Sequence, residues 1–340
     1  MTQITQVSLK PPYLVFIGDV SEPNYAKTAF GLIQWCSDLV AGQIRFIHNK
    51  LDLGVSDMTI QQAVDAGVKS IIIGVAPVGG SVCQKWIDVL VEAAEAGLDI
   101  VSGLHGKLES HPELVVAAGK SGSSLINVRE PSNNLPIATA VKRKGKRLLM
   151  VGTDCAVGKK YTALSISRAM EEACLSATFR ATGQTGIMIA GSGVPIDAVV
   201  ADFIAGAAEV ISPDNNDNHW DIIEGQGSLF NPSYSGVSMG LLHGSQPDAI
   251  VICHDPTRDF IGNCPSIPVP NIKECIALTL ACGKIVNSEI KCIGVSVNTS
   301  SLDNHQREEY LRQLSEQTNL PCFDPLLEGC SSIVEQLRGN

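Results

Sequence analysis

The densest chemistry in this sequence lies in the run Gly152, Thr153, Asp154, Cys155, Ala156, Val157, Gly158, Lys159, Lys160, Tyr161 and Thr162. An apolar run, Leu148 to Val151, leads into it, and a helix-like pattern begins at Lys159. Strand, Gly-bounded turn and helix in that order aim main-chain N–H groups and the positive end of the helix dipole at an anion. Lys159 adds a mobile charge beside them. The run departs from the phosphate-loop pattern G-x-x-x-x-G-K-[ST] in two places. Thr153 stands in the first-glycine position, with Gly152 one place upstream, and Lys160 replaces the hydroxyl that normally holds magnesium. The next aliphatic hydroxyl is Thr162. The run predicts a phosphate cradle without its magnesium hydroxyl; the plainer alternative is a βα turn with a surface lysine.

Further candidates stand where apolar runs end. Trp220 to Ile223 runs into Glu224, Gly225, Gln226 and Gly227. A phosphate-loop domain commonly ends a neighbouring strand in a carboxylate that reaches the metal or the reacting group. Glu224 is therefore the candidate base, and the metal ligand if there is one. PDAIVICHDPTR ends in His254, Asp255 and Arg258. Histidine suits general base work near neutral pH, and arginine suits carboxylate or phosphate. A core histidine capped by Asp255 is the other reading. CIGVSVNT ends in Asn298, a position for a base-reading amide, and Arg180, His105 and Lys107 are additional strand-end candidates. His243 is a weaker one.

Length and composition set the frame for these residues. A chain of 340 residues predicts two domains at roughly 150 residues each. The net charge of −10 argues against nucleic acid or an anionic membrane as partner, while leaving room for a small anionic substrate held by local cations. The 11 cysteines are scattered singly without C-x-x-C, which supports neither a zinc cluster nor a disulfide framework. Cys253 and Cys292 lie in apolar runs, where cysteine acts as a small hydrophobe. The polar start MTQITQVSLKPP and the lack of a bilayer-length apolar stretch predict a soluble, cytoplasmic protein.

The elements that must position the candidates alternate strand and helix, which predicts parallel α/β sheets with ligands at the C-terminal strand ends. Strands are expected from Tyr13, over Ile44–Ile47, from Ser70 and over Leu98–Ser102. A helix is expected after the Val78-Gly79-Gly80 turn, with Ser81 as its N-cap. Residues 1–130 read as an N-terminal Rossmann-like domain and 131–146 as a polar linker ending in Lys142, Arg143, Lys144, Lys146 and Arg147. Residues 147–340 read as the phosphate-loop domain. The basic cluster reads as solvated, or as a second phosphate contact near the loop. Gly183–Gly193 reads as a long functional loop and Asp197 to Val210 as a helix. No G-x-G-x-x-G stands in the N-terminal half, so a dinucleotide is not indicated.

GTDCAVGK and IIEGQG together resemble dethiobiotin synthetase over Arg147 to about Ser300. That resemblance implies phosphate- or metal-proximal roles for Thr153, Asp154, Gly158, Lys159 and Glu224, and it breaks at Lys160, where that enzyme has threonine. The whole chain is similar to a bacterial two-domain family long without an assigned function, which joins a Rossmann-like half to this phosphate-loop half. The segments that carry this are GTDCAVGKKYTA, ATGQTGIMIAGSGVPIDAVVADFIAGAAE, DIIEGQGSL and LLHGSQPDAIVICHDPTR. Some members of that family are described as D-glutamate N-acetyltransferases that use acetyl-CoA. The expectation is an acetyl-CoA-dependent N-acyltransferase acting on a small amino-dicarboxylate. Glu224 or His254 would be its base, and Arg258, Arg180 and Lys107 the candidates to hold carboxylates. An ATP- and magnesium-dependent ligase or carboxylase, or a non-catalytic nucleotide sensor, are the alternatives. A two-domain enzyme of this kind is often a symmetric homo-oligomer.

Overall fold

A computed structural model describes residues 9–76, 82–132 and 134–338. The chain divides into two compact units, one of Thr5–Pro131 with Gln184–Pro195, the other of Ser132–Gly183 with Ile196–Asn340. Each is an α/β unit built on a parallel sheet, as the strand–helix alternation predicts. Among the described residues no helix is long and apolar enough to cross a membrane.

The N-terminal unit runs β1 (Tyr13–Gly18), α1 (Lys27–Cys36), β2 (Val40–Arg45), α2 (Ile60–Asp65), β3 (Ser70–Ile73), α3 (Gln84–Glu95), β4 (Asp99–Ser102), α4 (Pro112–Ser121) and β5 (Leu125–Asn127). The sheet order is β2-β1-β3-β4-β5, with every pair parallel. β1 and β3 are buried along their whole length, hence their unbroken apolar runs. The second strand starts at Val40 and stops at Arg45, not Ile47. A turn closed by Asn49 N–H on Phe46 O at 2.8 Å lifts the chain off the sheet and leaves Ile47 93% exposed. The Ser81 cap and the Val78-Gly79-Gly80 turn lie outside the described residues; α3 itself begins at Gln84 after Cys83, without a side-chain cap.

The second unit continues with β6 (Lys146–Gly152), α5 (Lys159–Glu172) and β7 (Ala177–Arg180), after which α6 (Gln184–Ala190) belongs to the N-terminal unit. There follow α7 (Ile204–Ile211), β8 (Trp220–Ile223), α8 (Ser235–Ser245), β9 (Ala249–His254), and a hairpin of β10 (Phe260–Ile261) and β11 (Cys264–Pro268). The chain ends with α9 (Ile272–Gly283), β12 (Lys291–Val297), α10 (Asn304–Thr318), β13 (Cys322–Phe323) and α11 (Ser331–Arg338). The six strands stand in the order β13-β12-β9-β6-β8-β7, all parallel. Leu148 and Met150 of β6, Ile166 and Met170 of α5, Val251 and Cys253 of β9, and Ile333 and Leu337 of α11 form one core. Cys253 is fully buried there, and burial pushes its thiol up to about 11, as for a cysteine used as a hydrophobe.

Three further sequence expectations change. Gly183–Gly193 is not a loop throughout: α6 buries Thr185, Ile187 and Met188 and packs on α1, where the Thr28 and Thr185 hydroxyls meet at 2.8 Å. Two helical turns framed by glycines carry too short a periodicity to stand out. The helix expected from Asp197 is two 3-10 turns and then α7, interrupted where Val200 takes an extended backbone.

The third concerns the polar stretch before β6, which packs on the second unit. Glu209 accepts the N–H groups of Thr139 and Ala140 at 3.0 and 2.8 Å, and Arg143 donates to Ser212 O and Gly244 O at 2.7 and 2.8 Å. Gly206 has to be glycine here, since a Cβ would stand 1.8 Å from Pro136 O. Arg147 is fully buried among carbonyls at the start of β6, the end opposite Gly152. Neither arginine is a solvated linker charge or a phosphate contact near the loop.

Candidate functional site

Topology brings three separate sequence segments together. β6 lies between β8 and β9, with Leu149 opposite Ile223 and Gly152 opposite Cys253. The loop after Gly152, the carboxylate after Ile223 and the histidine after Cys253 therefore leave the same sheet edge side by side. Brought together there are the loop residues, Glu224, His254, Asp255 and Arg258.

The loop is shaped by its glycines. A Cβ on Gly152 would meet Val157 Cγ2 at 2.9 Å and Lys159 Nζ at 3.1 Å, and Gly158 sits at φ +103. One on Gly225 would lie 1.7 Å from Met150 O and 2.9 Å from Lys159 Cδ, so the Lys159 stem runs past a bare backbone. Lys159 is buried and its Nζ donates to the neutral carbonyl of Asp154 at 2.7 Å; burial pushes its ammonium pKa down. No side chain caps the start of α5, the positive end of the helix dipole. A buried cation on a neutral partner beside an uncapped helix start suits an anion. Lys160 is partly buried, 4.6 Å over the Tyr161 ring.

Thr162 does not face the loop's mouth. Its buried hydroxyl donates to Gly158 O at 3.0 Å and meets Ser296 Oγ at 2.8 Å. Val157 belongs to the core, Cys155 is partly buried and Ala156 is exposed. Asn298 lies one residue beyond β12, where its N–H donates to His254 O at 2.8 Å and its side-chain oxygen accepts Ser300 N–H at 3.3 Å.

Asp154 and Arg258 look into the protein. The Asp154 carboxylate accepts Asn231 Nδ2 at 2.9 Å, Gly262 N–H at 2.7 Å and Arg258 Nη1 at 2.9 Å. Burial alone would raise its pKa, but these donors and the guanidinium outweigh burial and hold it below the usual carboxylate range. Arg258 also donates through Nη1 to Cys155 O at 2.8 Å and through Nη2 to Ala156 O at 3.1 Å. The guanidinium expected to hold a substrate carboxylate is thus committed to the loop.

Thr153 has its hydroxyl 3.1 Å from His254 Nδ1, and its carbonyl accepts Ser228 Oγ at 3.1 Å. His254 is buried and stacked on Tyr310 at 6.3 Å. Burial pushes its pKa down to about 4 against the opposing pull of Asp255. Asp255 does not cap the ring in the way the sequence suggests: its carboxylate takes the Thr257 N–H and hydroxyl at 3.1 and 2.7 Å and lies 3.6 Å from Arg258 Nε.

Glu224 is 3% exposed, and its Oε2 accepts the N–H groups of Thr182 and Gly183 at 3.0 and 3.1 Å. Burial pushes its carboxyl pKa up, while those N–H groups and Lys160 pull the other way. Gln226 donates to the Thr182 hydroxyl at 3.2 Å. A Cβ on Gly183 would come within 2.6 Å of Gln226 Nε2 and 3.2 Å of Glu224 Oε1. Thr182 escapes sequence reasoning; its place just before the Gly183 loop, two residues after β7, was the available signal. Among the described residues no group of three or more His, Cys, Asp and Glu side chains could hold a metal ion.

The remaining candidates are elsewhere or already engaged. Arg180 Nε donates to buried Asp221 at 2.7 Å, and His243 Nε2 lies 3.2 Å from Cys282 O on α9. In the N-terminal unit, Lys107 pairs with Glu130 and His105 is exposed.

The chain is similar to known proteins along nearly its whole length. Residues 136–334 match the model described as "Domain of unknown function (DUF1611_C) P-loop domain". Residues 44–131 match "Domain of unknown function (DUF1611_N) Rossmann-like domain". A protein of Tritonibacter scottomollicae named D-glutamate N-acetyltransferase is 47% identical over 329 residues, covering 97% of this chain and 99% of its own length. A protein of the same name from a Pseudoalteromonas species is 46% identical over 331 residues, covering 97% and 100%. The crystal structure of a DUF1611 family protein from Anabaena variabilis superposes with a TM-score of 0.87 at 29% identity, covering 97% of this chain and 100% of that one.

Proposed function

The chain belongs to the DUF1611 family, and on that premise we propose that it transfers the acetyl group of acetyl-CoA to the amine of D-glutamate. Similarity along nearly the whole chain to two proteins of that name supports the reaction class. The observation that carries the reading is the pairing of Glu224, a buried carboxyl, with a phosphate loop that turns the Thr162 hydroxyl inward.

The residues fit a phosphate-bearing donor. Lys159 has only a neutral carbonyl to satisfy a buried charge, and the start of α5 is uncapped. Lys160 stands in the place of the magnesium hydroxyl and supplies positive charge directly. When bound, acetyl-CoA would supply a thioester acyl group: a C–N bond forms as the C–S bond breaks, and the coenzyme leaves as its thiol with the second proton the nitrogen sheds. Glu224 takes the proton that the substrate ammonium must lose before its nitrogen can attack. Burial raises its proton affinity, while Thr182 and Gly183 fix the carboxylate in one orientation. His254, pushed down to about 4, is too weak a base for that step and instead holds Thr153. Arg258, Arg180 and Lys107 each have acidic partners within the chain, so holding the glutamate carboxylates does not fall to them.

Titration calorimetry with acetyl-CoA and with Mg-ATP, followed by turnover with D- and L-glutamate, tests this reading. Acetyl-CoA is expected to bind and D-glutamate to be acetylated. Tight Mg-ATP binding without acetyl-CoA binding would replace the reading with an ATP-dependent ligase. Binding without turnover of any amino acid would replace it with a nucleotide sensor.

A further inference from the structure

A peptide unit is planar and trans, so the carbonyl of one residue and the N–H of the next point in opposite directions. Arg258 takes two successive carbonyls of the loop, Cys155 O at 2.8 Å and Ala156 O at 3.1 Å. The N–H groups of Ala156 and Val157 must therefore point away from the guanidinium. Among the described residues no acceptor takes either of them. Val157 is 1% exposed, so its N–H is a buried donor without a partner, which a folded chain rarely tolerates unless a ligand uses it.

The backbone agrees. Ala156 at φ +53 and Gly158 at φ +103 are both left-handed, with Val157 between them. Left-handed positions set among right-handed ones gather successive N–H groups into an anion-binding concavity. A left-handed conformation is unfavourable for alanine and persists only where surrounding contacts impose it. The Arg258 bond to Ala156 O is such a contact. Its charge is balanced by Asp154, which also takes Gly262 N–H and so ties the hairpin that follows Arg258 to the loop.

We propose that Arg258 is a positioning residue that presets this loop for phosphate, holding two carbonyls on one side so that the Ala156 and Val157 N–H groups face the anion. The guanidinium does not touch the ligand. It acts through the main chain, and Arg258 and Asp154 form one device, with Lys159 supplying the charge on the ligand side. The inference rests on the reading above only in taking acetyl-CoA as the phosphate-bearing ligand.

The test uses the full chain as wild type, Arg258→Ala and Arg258→Lys, each checked by thermal melting. Inorganic pyrophosphate is titrated into all three. Each is then assayed with acetyl-CoA and with S-acetyl-N-acetylcysteamine, a thioester without phosphate. Arg258→Ala is expected to weaken pyrophosphate by about tenfold or more. It should lower the preference for acetyl-CoA over the phosphate-free donor by a similar factor, through KM rather than kcat. Millimolar guanidinium should restore part of the loss. Arg258→Lys, with a single nitrogen for two carbonyls and a carboxylate, should fall between and serves if the alanine variant does not fold. Unchanged pyrophosphate affinity, equal losses with both donors, or a wild type that ignores pyrophosphate would each overturn the inference. A wild type that binds pyrophosphate but leaves D-glutamate unacetylated would overturn the acetyltransferase reading alone, and the pyrophosphate arm would still decide the role of Arg258.

Discussion

Thr182 and Glu224 are tied together twice: Glu224 Oε2 accepts the Thr182 N–H at 3.0 Å, and the Thr182 hydroxyl donates to the Glu224 carbonyl at 2.7 Å. The two residues follow adjacent parallel strands, β7 and β8, so the pair locks one strand exit to the other. A carboxylate held in this way loses little orientational freedom when a substrate arrives, which is what a general base requires.

Glu224→Gln keeps acceptors for both N–H groups and removes the base. Turnover is expected to fall by about 10² to 10⁴ with little change in acetyl-CoA affinity. Burial raises this carboxyl above its ordinary 4.5, and a base must be ionised, so kcat/KM should rise with pH through a limb above 4.5 that the variant lacks. The same shift favours the protonated fold: its stabilisation is present at low pH and lost as pH rises through the folded pKa. The variant should therefore melt no lower than wild type near pH 8. Equal rates would return Glu224 to a structural role.

His254 shifts in the opposite sense for a histidine, from 6.5 down to about 4. A depressed folded value contributes stability that is present above 6.5 and lost as pH falls toward 4. The effect is on the order of 3 kcal/mol at most. Denaturant midpoints for wild type and His254→Gln should diverge at neutral pH and converge near pH 4. Parallel curves would mean that the ring is not buried in its neutral form.

Gly225 leaves no room for a side chain. Gly225→Ala places a methyl 1.7 Å from Met150 O, a contact the backbone of β6 cannot relieve without moving. The cost is about 3 kcal/mol or more, and Lys159 should be displaced with it. Lowered Tm together with weakened pyrophosphate binding is the expected pair of readings; a wild-type Tm would contradict the close approach.

Lys160→Thr restores the hydroxyl of the phosphate-loop pattern. Acetyl-CoA affinity should drop by about tenfold for the lost charge, and no ATP hydrolysis should appear. A gain of magnesium-dependent hydrolysis, followed by phosphate release, would show that this position alone separates the two chemistries.

Arg147 is the stability control. Its guanidinium serves the carbonyls of Arg143, Lys144, Gly145 and Pro213 at 2.9 to 3.2 Å, far along β6 from the loop. Arg147→Met should cost about 3 kcal/mol or more by leaving those acceptors unsatisfied. Turnover per folded molecule should stay at the wild-type level, measured by pairing urea unfolding with active-site titration.

Much of the second unit was legible residue by residue. Leu148 to Val151 had to be a buried strand because nothing in it is polar, and Gly158 before two lysines marked the helix start. Glu224 and His254 stood out as polar residues closing apolar runs. Alternation and length sufficed for two parallel α/β units. Misreadings came where periodicity is short or polarity misleads: α6 hides among glycines, Arg143 and Arg147 look solvated because arginine usually is, and β2 is displaced by a turn with no glycine.

By itself, the sequence determined which residues could do chemistry and that the loop lacks its magnesium hydroxyl, since both depend on residue type and local spacing. The tertiary structure alone decided what each one faces. Arg258 looks like a substrate anchor until the turn after β9 sets it onto Cys155 O and Ala156 O, and Asp255 looks like a cap for His254 until Thr153 takes that place. Thr182, unremarkable in sequence, becomes the partner of Glu224 because β7 pairs beside β8. Hydrogen-bond partners are set by strand order and register across intervals of 40 residues or more, and no local pattern encodes them.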